Sequence, residues 1–579
     1  MRPKIIILTI LLCIFTSAFL FAFFSLSLSR DVLQVHELRP SPAKLKHKLS
    51  NHQNSISITN EHNHPSNHRH VFSVPDERPV HSILLPDWEI LLTISSPENS
   101  VSSDSGDQYF CLFQNNATSP ANFAGILQFS GLKTYRCILP NSLQRYETIR
   151  SPILTKSASD TWPKNSSELP EMLQWNFLTY ESLSTESDLI LFVKGVNNRQ
   201  GFNRPPSELR CVFNNGVTNS VITAVTISAQ EVFRCLHPND TEIRRLFRNG
   251  DEKVSVSLQV QELKSWTVPS VAYYSPPQRN LAVKDEKALL CACTMVYNVA
   301  KVLKEWVIYN SKIGVEKFIL YDNGSEDDLQ KVVDELLEDS YKIEKIFWPW
   351  PKTQEAGFSH CAMNSRDSCT WMMYTDVDEF IFSPKWLNSS HPSQDMLRNL
   401  LPSILIPSSS SSSSSLKTGQ VSIDCLEYGP SNQKSHPIEG VTQGYTCRRR
   451  LEQRHKSIVL LDAIDTSLLN VIHHFQLKDG YRMKKLSKIE GVVNHYKYQA
   501  WSEFKVKFRR RVSAYVVDWK TKLNPASRDR TPGLGFEAIK PKDWDKQFCE
   551  VHDNRLKVIT QKWFGSVSSN GYKMVWQDK

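Results

Sequence analysis

The chain has 579 residues, too many for one hydrophobic core, so two or three domains are expected. Its hydrophobic and charged fractions, 40% and 22%, are ordinary for globular protein and exclude a fibrous or wholly disordered chain. A net charge of +9 is modest at this length; without a nucleic-acid recognition motif it fits contact with an acidic polysaccharide or a nucleotide diphosphate better than with nucleic acid.

Ile5 to Leu28 carries no charged residue, follows Arg2 and Lys4, and is long enough to cross a bilayer as a helix. The run exceeds the roughly 7 to 15 apolar residues of a cleaved secretory signal, so an uncleaved signal anchor is expected. Residues 1–4 would then be cytosolic, 5–28 transmembrane, and everything after Arg30 luminal or extracellular. Sequons beginning at Asn116, Asn165, Asn239, Asn323 and Asn388, together with twelve cysteines, suit that side of the membrane. Cys13 lies in the span, and the eleven cysteines that remain are odd in number. At least one luminal thiol must therefore stay free or pair between chains, as in a homodimer.

Residues 29–80 are rich in Ser, Asn, His and Pro, with almost no aromatic residue before Phe72. Such a stretch buries too little apolar surface to offset its ordering entropy, so it reads as a flexible stem, with His62, His64, His68 and His70 as solvated linker. From 81 to 279 short alternating strands follow, such as Trp88 to Ile94, Leu189 to Val193 and Val254 to Val260. Here Cys111-Leu-Phe-Gln-Asn-Asn with Tyr135-Arg136-Cys137 is echoed by Cys211-Val-Phe-Asn-Asn with Phe233-Arg234-Cys235. The echo predicts two related modules in a β-rich, sandwich-like region and the disulfides Cys111 to Cys137 and Cys211 to Cys235. The region either holds glycan or spaces the next domain from the membrane.

After Pro276 and Pro277 the pattern changes. Ala288 to Val296 is an apolar strand; Val302 to Ile313 has helical spacing ended by Gly314; Val315 to Tyr321 is a second strand, followed by an acidic loop from Asp322. A helix over about Leu329 to Leu337 and a strand Ile343 to Trp348 complete a strand–helix alternation that predicts a parallel, doubly wound sheet in residues 280–579. Ligands bind such sheets at the carboxyl ends of the strands. Cys291 and Cys293 share one face of the first strand and read as buried core thiols, since zinc would need two more ligands at supporting spacing.

Trp371 to Phe382 places Asp376, Asp378 and Glu379 at the end of an apolar run. Burying carboxylates there is costly unless a cation compensates them, and hard divalent cations prefer carboxylate oxygen. Asp376 and Asp378 can reach one Mn²⁺ or Mg²⁺ if the strand ends in a turn; the other reading is a capped strand end. A second triplet, Asp543-Trp544-Asp545, sits in a Lys-rich setting and reads as a solvated turn. Ser408 to Ser415 is a low-complexity surface loop, and Cys425 and Cys447 flank a Gly- and Pro-containing segment as a possible third bridge. Trp501, Phe504, Phe508, Val512, Tyr515, Val516 and Trp519 recur at helical spacing; Lys505, Lys507 and Arg509 to Arg511 between them form a basic face of which one or two could touch an acidic acceptor.

The order Leu320-Tyr-Asp322-Asn-Gly-Ser325, then Asp376-Val-Asp378-Glu-Phe380, Lys456-Ser-Ile-Val459, His473-His474-Phe475 and Asn494-His495-Tyr496 resembles glycosyltransferase family 92, whose plant members include β-1,4-galactan synthases. The resemblance covers about residues 285 to 565. It implies a GT-A (Rossmann-like α/β) fold, a UDP-sugar donor such as UDP-galactose, Mn²⁺, inversion at the anomeric carbon, a polysaccharide or oligosaccharide acceptor, and Golgi residence as a single-pass type II protein. On that footing Asp376 and Asp378 hold the metal, with His495 and, second, His474 completing the site. Asp322 accepts hydrogen bonds from uracil or ribose, with Asn323 beside it. Asn323 lies in a sequon whose glycan would obstruct the nucleotide, so it is expected to be bare. Lys456 and Arg449 are candidate diphosphate contacts. The base that takes the acceptor's proton is left open among Glu379, Glu427, Glu439 and Asp462.

Overall fold

The computed structural model describes residues 79–577 apart from internal gaps, of which 96–107, 278–285, 403–415 and 508–539 are the longest. The 5–28 span, the stem before residue 79, Asn165, the serine run and the helical pattern beyond Lys507 lie outside the described residues. Among the described residues no helix is long and apolar enough to cross a membrane.

Two antiparallel-rich sheets come first, of seven and eight strands. In the first, the meander Tyr109–Leu112, Thr118–Ile126, Lys133–Ile138 is followed across the sheet by Glu89–Ile94 and His81–Leu84; in the second, Leu209–Asn214, Val221–Ala229, Val232–Leu236 is followed by Asp188–Lys194 and Leu178–Ser184. The two strand orders coincide, and each module carries its disulfide between the first and third strands of the meander, Cys111–Cys137 and Cys211–Cys235. The internal repeat in the sequence is thus a repeat of structure.

The third sheet has nine strands. Its order begins Ile343–Phe347, Lys317–Asp322, Ala288–Val296, Cys369–Tyr374, all parallel. It continues with His455–Leu460 and Lys417–Glu427, each antiparallel to the strand before it, and then Val492–His495 and Glu379–Phe382. A wholly parallel sheet is therefore corrected to a mixed one. The helices that enforce parallel crossovers stop at Gln354–Asn364, and the later strands are joined by turns and short helices that permit reversal. Helix Ala300–Lys312 buries Leu303, Trp306, Val307 and Asn310 against this sheet, as its spacing required.

Two expectations about cysteine fail. Cys291 and Cys293 are not free core thiols: they bridge to Cys369 on the adjacent strand and Cys361 on helix Gln354–Asn364. The partners lie 78 and 68 residues away, beyond any local pattern. Cys425 does not pair with Cys447, which bridges to Cys549. Cys425 is buried and is the odd thiol, so it is not available to link two chains. Asp543-Trp544-Asp545 forms a short turn around the buried Trp544.

The β modules and the nine-stranded sheet share a core. Tyr180, Phe192 and Trp175 of the modules pack with Tyr321, Trp348, Trp350 and Phe358, and Trp175 stacks on Trp350 at 5.7 Å with planes 4° apart.

Candidate active site

Strand Cys369–Tyr374 ends in a turn, as metal binding by its acidic triplet required. Glu379 N donates to Asp376 O at 3.0 Å, while Asp376 N donates to the Glu379 carboxylate at 2.8 Å, so main chain and side chain close the turn reciprocally. Glu379 then opens a strand whose register sets it directly opposite His495, and Tyr496 N donates to Asp378 O at 2.9 Å. Strand His455–Leu460 runs antiparallel beside Tyr374 and brings in Lys456.

Lys456 Nζ lies 2.9 Å from Asp376, 2.7 Å from Glu379 and 2.7 Å from His473 Nε2. Asp378 pairs with Lys507, and His495 Nε2 stands 3.6 Å away. Burial would raise both aspartates, but Lys456 beside Asp376, and Lys507 with His495 around Asp378, hold each below the usual carboxylate range. Burial pushes the Glu379 carboxyl up against the pull of Lys456. Burial and then Lys456 push His473 well below its ordinary value, so it is neutral and accepts from the ammonium. Three carboxylates thus face two ammonium groups, leaving a deficit of positive charge at a buried site.

A divalent cation fits that deficit. Asp378, Glu379 and His495 are buried and each offers a donor atom within 4.8 Å of the others. His495 Nε2 has no hydrogen-bond partner, an orphan that a metal would satisfy. Asp376 turns instead toward Lys456, His473 and Gln354 Nε2 at 3.3 Å. His474, expected as the second metal histidine, is directed at His455, with ring centroids 4.2 Å apart. Its neighbour His473, with φ of 71°, takes the inward position. Sequence reasoning missed His473 and Gln354; only the adjacent His473-His474 pair signalled that one histidine faced the site.

Asp322 ends strand Lys317–Asp322 two strands from Cys369–Tyr374. It accepts from Ser325 N at 2.8 Å and lies 3.5 Å from Lys345 Nζ. The loop is stitched to the start of helix Ala300–Lys312 through Asn298 N to Ser325 Oγ at 3.0 Å and Ala300 N to Asp327 at 2.8 Å. Asn323 is buried, its amide donating to Trp348 O at 2.6 Å and Trp350 O at 3.1 Å, so its side chain braces the loop and is closed to a glycan. Arg449 pairs with Glu427 at 3.4 Å, which also binds Lys497; burial opposes ionisation of Glu427, but Lys497 outweighs it and lowers the pKa. Asp462, past the far end of its strand, pairs with exposed Arg366 at 3.0 Å, away from the turn. Glu439 is exposed, and its carbonyl accepts from Trp576.

Known proteins bear on this arrangement. A model of glycosyltransferase family 92 matches residues 286–531. A family 92 protein of Oryza sativa subsp. japonica is 40% identical over 408 residues, 68% of this chain and 67% of that one. One from Ricinus communis is 37% identical over 486 residues, 82% and 84% of the two chains. Among solved structures, a mannosyltransferase from Pyrobaculum calidifontis in complex with GDP-Man and Mn²⁺ aligns with 44% of this chain and 70% of that one at 12% identity and a TM-score of 0.25, a likeness too distant to carry an argument. The sequence relatives decide the matter: the chain belongs to glycosyltransferase family 92.

Proposed function

We propose that this glycosyltransferase is a metal-dependent, inverting enzyme of GT-A type that moves galactose from UDP-galactose onto a cell-wall or other glycan, in the Golgi lumen as a type II membrane protein. The observation that carries the reading is the closed group of Asp378, Glu379 and His495 at the carboxyl end of one parallel strand, with the Asp322 loop at the same edge two strands away. At about 4.8 Å per strand the separation is about 10 Å, room for a nucleoside diphosphate laid across the sheet. Five disulfides among the described residues suit an oxidising lumen. Galactose rests on the resemblance to plant galactan synthases, and the sequence relatives in Oryza and Ricinus are plant proteins.

Asp378 and His495 would hold Mn²⁺ or Mg²⁺, which when bound supplies positive charge where the departing diphosphate gathers negative charge. The chain's own groups do the positioning. Asp322 accepts from the nucleoside, with Lys345 beside it. Lys456 pairs directly with Asp376 and Glu379 and holds both in place. The purified luminal chain is to be assayed with a panel of UDP-sugars, with and without Mn²⁺. Turnover of UDP-galactose that vanishes in Asp378→Ala and with chelator is expected. Turnover of another donor alone would overturn galactose; glycan binding without any turnover would mark an inactive transferase domain instead.

A further inference from the structure

The Asp322 loop is not bounded by the catalytic sheet alone. Along strand Lys133–Ile138 of the first β module, Tyr135 and Cys137 enter that module's core, while Thr134 and Arg136 alternate to the other face. That face meets the catalytic domain. A Cβ on Gly125, beside Thr134, would stand 2.8 Å from the Phe347 ring, and Phe129 packs edge-on against His360 at 5.0 Å. The Arg136 guanidinium lies against Gly324, in the Asp322 loop: a Cβ there would stand 2.5 Å from Arg136 Nη2, and Gly324 has φ of +82°.

The repeat supplies a comparison. Arg234, at the matching position of the second module, gives Nε to Asp188 at 2.5 Å, Nη2 to the same carboxylate at 2.8 Å, and Nη1 to Thr466 O at 2.9 Å. It is a finished strut between module and catalytic domain. Arg136 reaches the same domain with no carboxylate paired to it among the described residues, and its Nε is buried without a partner. A buried guanidinium nitrogen without an acceptor is costly unless a ligand brings one.

We propose that Arg136 forms one wall of the nucleoside subsite, its guanidinium meeting the uracil of the donor. The proposal rests on the reading of the Asp322 loop as the nucleoside end of the donor site, with the diphosphate about 10 Å away at Asp378. A guanidinium suits that place: it is planar, stacks on π faces and donates to carbonyl oxygens, of which uracil has two. The β region is then a component of the donor site.

Calorimetric titration of the luminal chain with UDP and with pyrophosphate, both in Mn²⁺, tests this. Arg136→Ala is expected to weaken UDP about tenfold, the scale of one hydrogen bond to a charged group, and to leave pyrophosphate unchanged. Its melting temperature should stay that of the wild type, since among the described residues no acceptor is paired with Arg136 Nε. Arg136→Lys should recover only part of the affinity. Equal loss for both ligands would place the contact on the phosphates and overturn the assignment, and so would a lowered melting temperature that accounts for the loss. Asp322→Asn is read alongside. If it weakens UDP while Arg136→Ala does not, this inference alone falls; if the wild-type chain binds pyrophosphate but gains nothing from the uridine, the donor-site reading falls with it.

Discussion

Lys507 and Lys456 both pair with the acidic triplet, and they do different work there. Lys507 is a third exposed, stands on the helical stretch from Trp501 and donates to Asp378, the same carboxylate a cation would need. Lysine and metal therefore compete. Lys507→Ala is expected to tighten Mn²⁺ binding by about tenfold, the scale of one charge-assisted hydrogen bond, and manganese EPR or calorimetry reads this directly. Lys456 is buried, and Asp376 and Glu379 overcome the effect of burial to hold its pKa above the ordinary value. Removing it leaves two carboxylates uncompensated in the interior. Lys456→Ala is expected to lose about 3 to 5 kcal/mol in a denaturant titration, with little of the loss recovered by Lys456→Met, which restores packing without charge.

Glu305 shows how a helix can be positioned by a charge that burial resists. From helix Ala300–Lys312 its carboxylate accepts from Val441 N at 2.7 Å, Thr442 N at 3.0 Å and Thr442 Oγ1 at 2.6 Å, capping the short helix Val441–Gly444. Gly440 is needed beside it, since a Cβ there would stand 2.4 Å from the carboxylate. Burial pushes the Glu305 pKa from 4.5 up to about 7 in spite of the three donors. The folded chain then holds a proton that the unfolded chain has released. Its stabilising contribution is whole below pH 4.5 and is lost as pH rises through about 7. Chemical denaturation across that range should show stability falling with pH, and Glu305→Gln should flatten the fall. The Asp322 loop carries a second expectation at this scale. Peptide glycan mapping should find Asn323 bare, because its amide is buried on Trp348 and Trp350, and should find glycan confined to exposed sequons such as Asn388.

Across the whole molecule the catalytic sheet and the β modules are not separable bodies. Trp348 and Trp350 are fully buried, and their cover comes in part from Trp175, Tyr180 and Phe192 of the modules. A chain beginning at residue 286 would expose those rings together with Tyr321, although it holds every residue of the acidic cluster. Such a truncation is expected to aggregate or to elute as a high-mass species in size-exclusion chromatography, whereas the chain from residue 79 should remain monodisperse. A soluble, cooperatively melting fragment would show that the shared core is dispensable.

The sequence by itself determined what local chemistry can write. The apolar run into Asp376, Asp378 and Glu379, the cysteine spacing repeated in the two modules and the helical period of Val302 to Asn310 each carry their meaning within a few residues or one repeat, and each is found in the structure. The tertiary structure decided what depends on partners distant in sequence. Strand register put His495 opposite Glu379, a positive φ turned His473 inward where His474 was expected, and pairing across 68 and 78 residues made disulfides of Cys293 and Cys291. A side chain's type is fixed by its codon, but which charge it neutralises depends on the packing of segments 80 to 129 residues apart, as for Lys456 with Asp376 and Lys507 with Asp378, and that packing is a property of the folded whole.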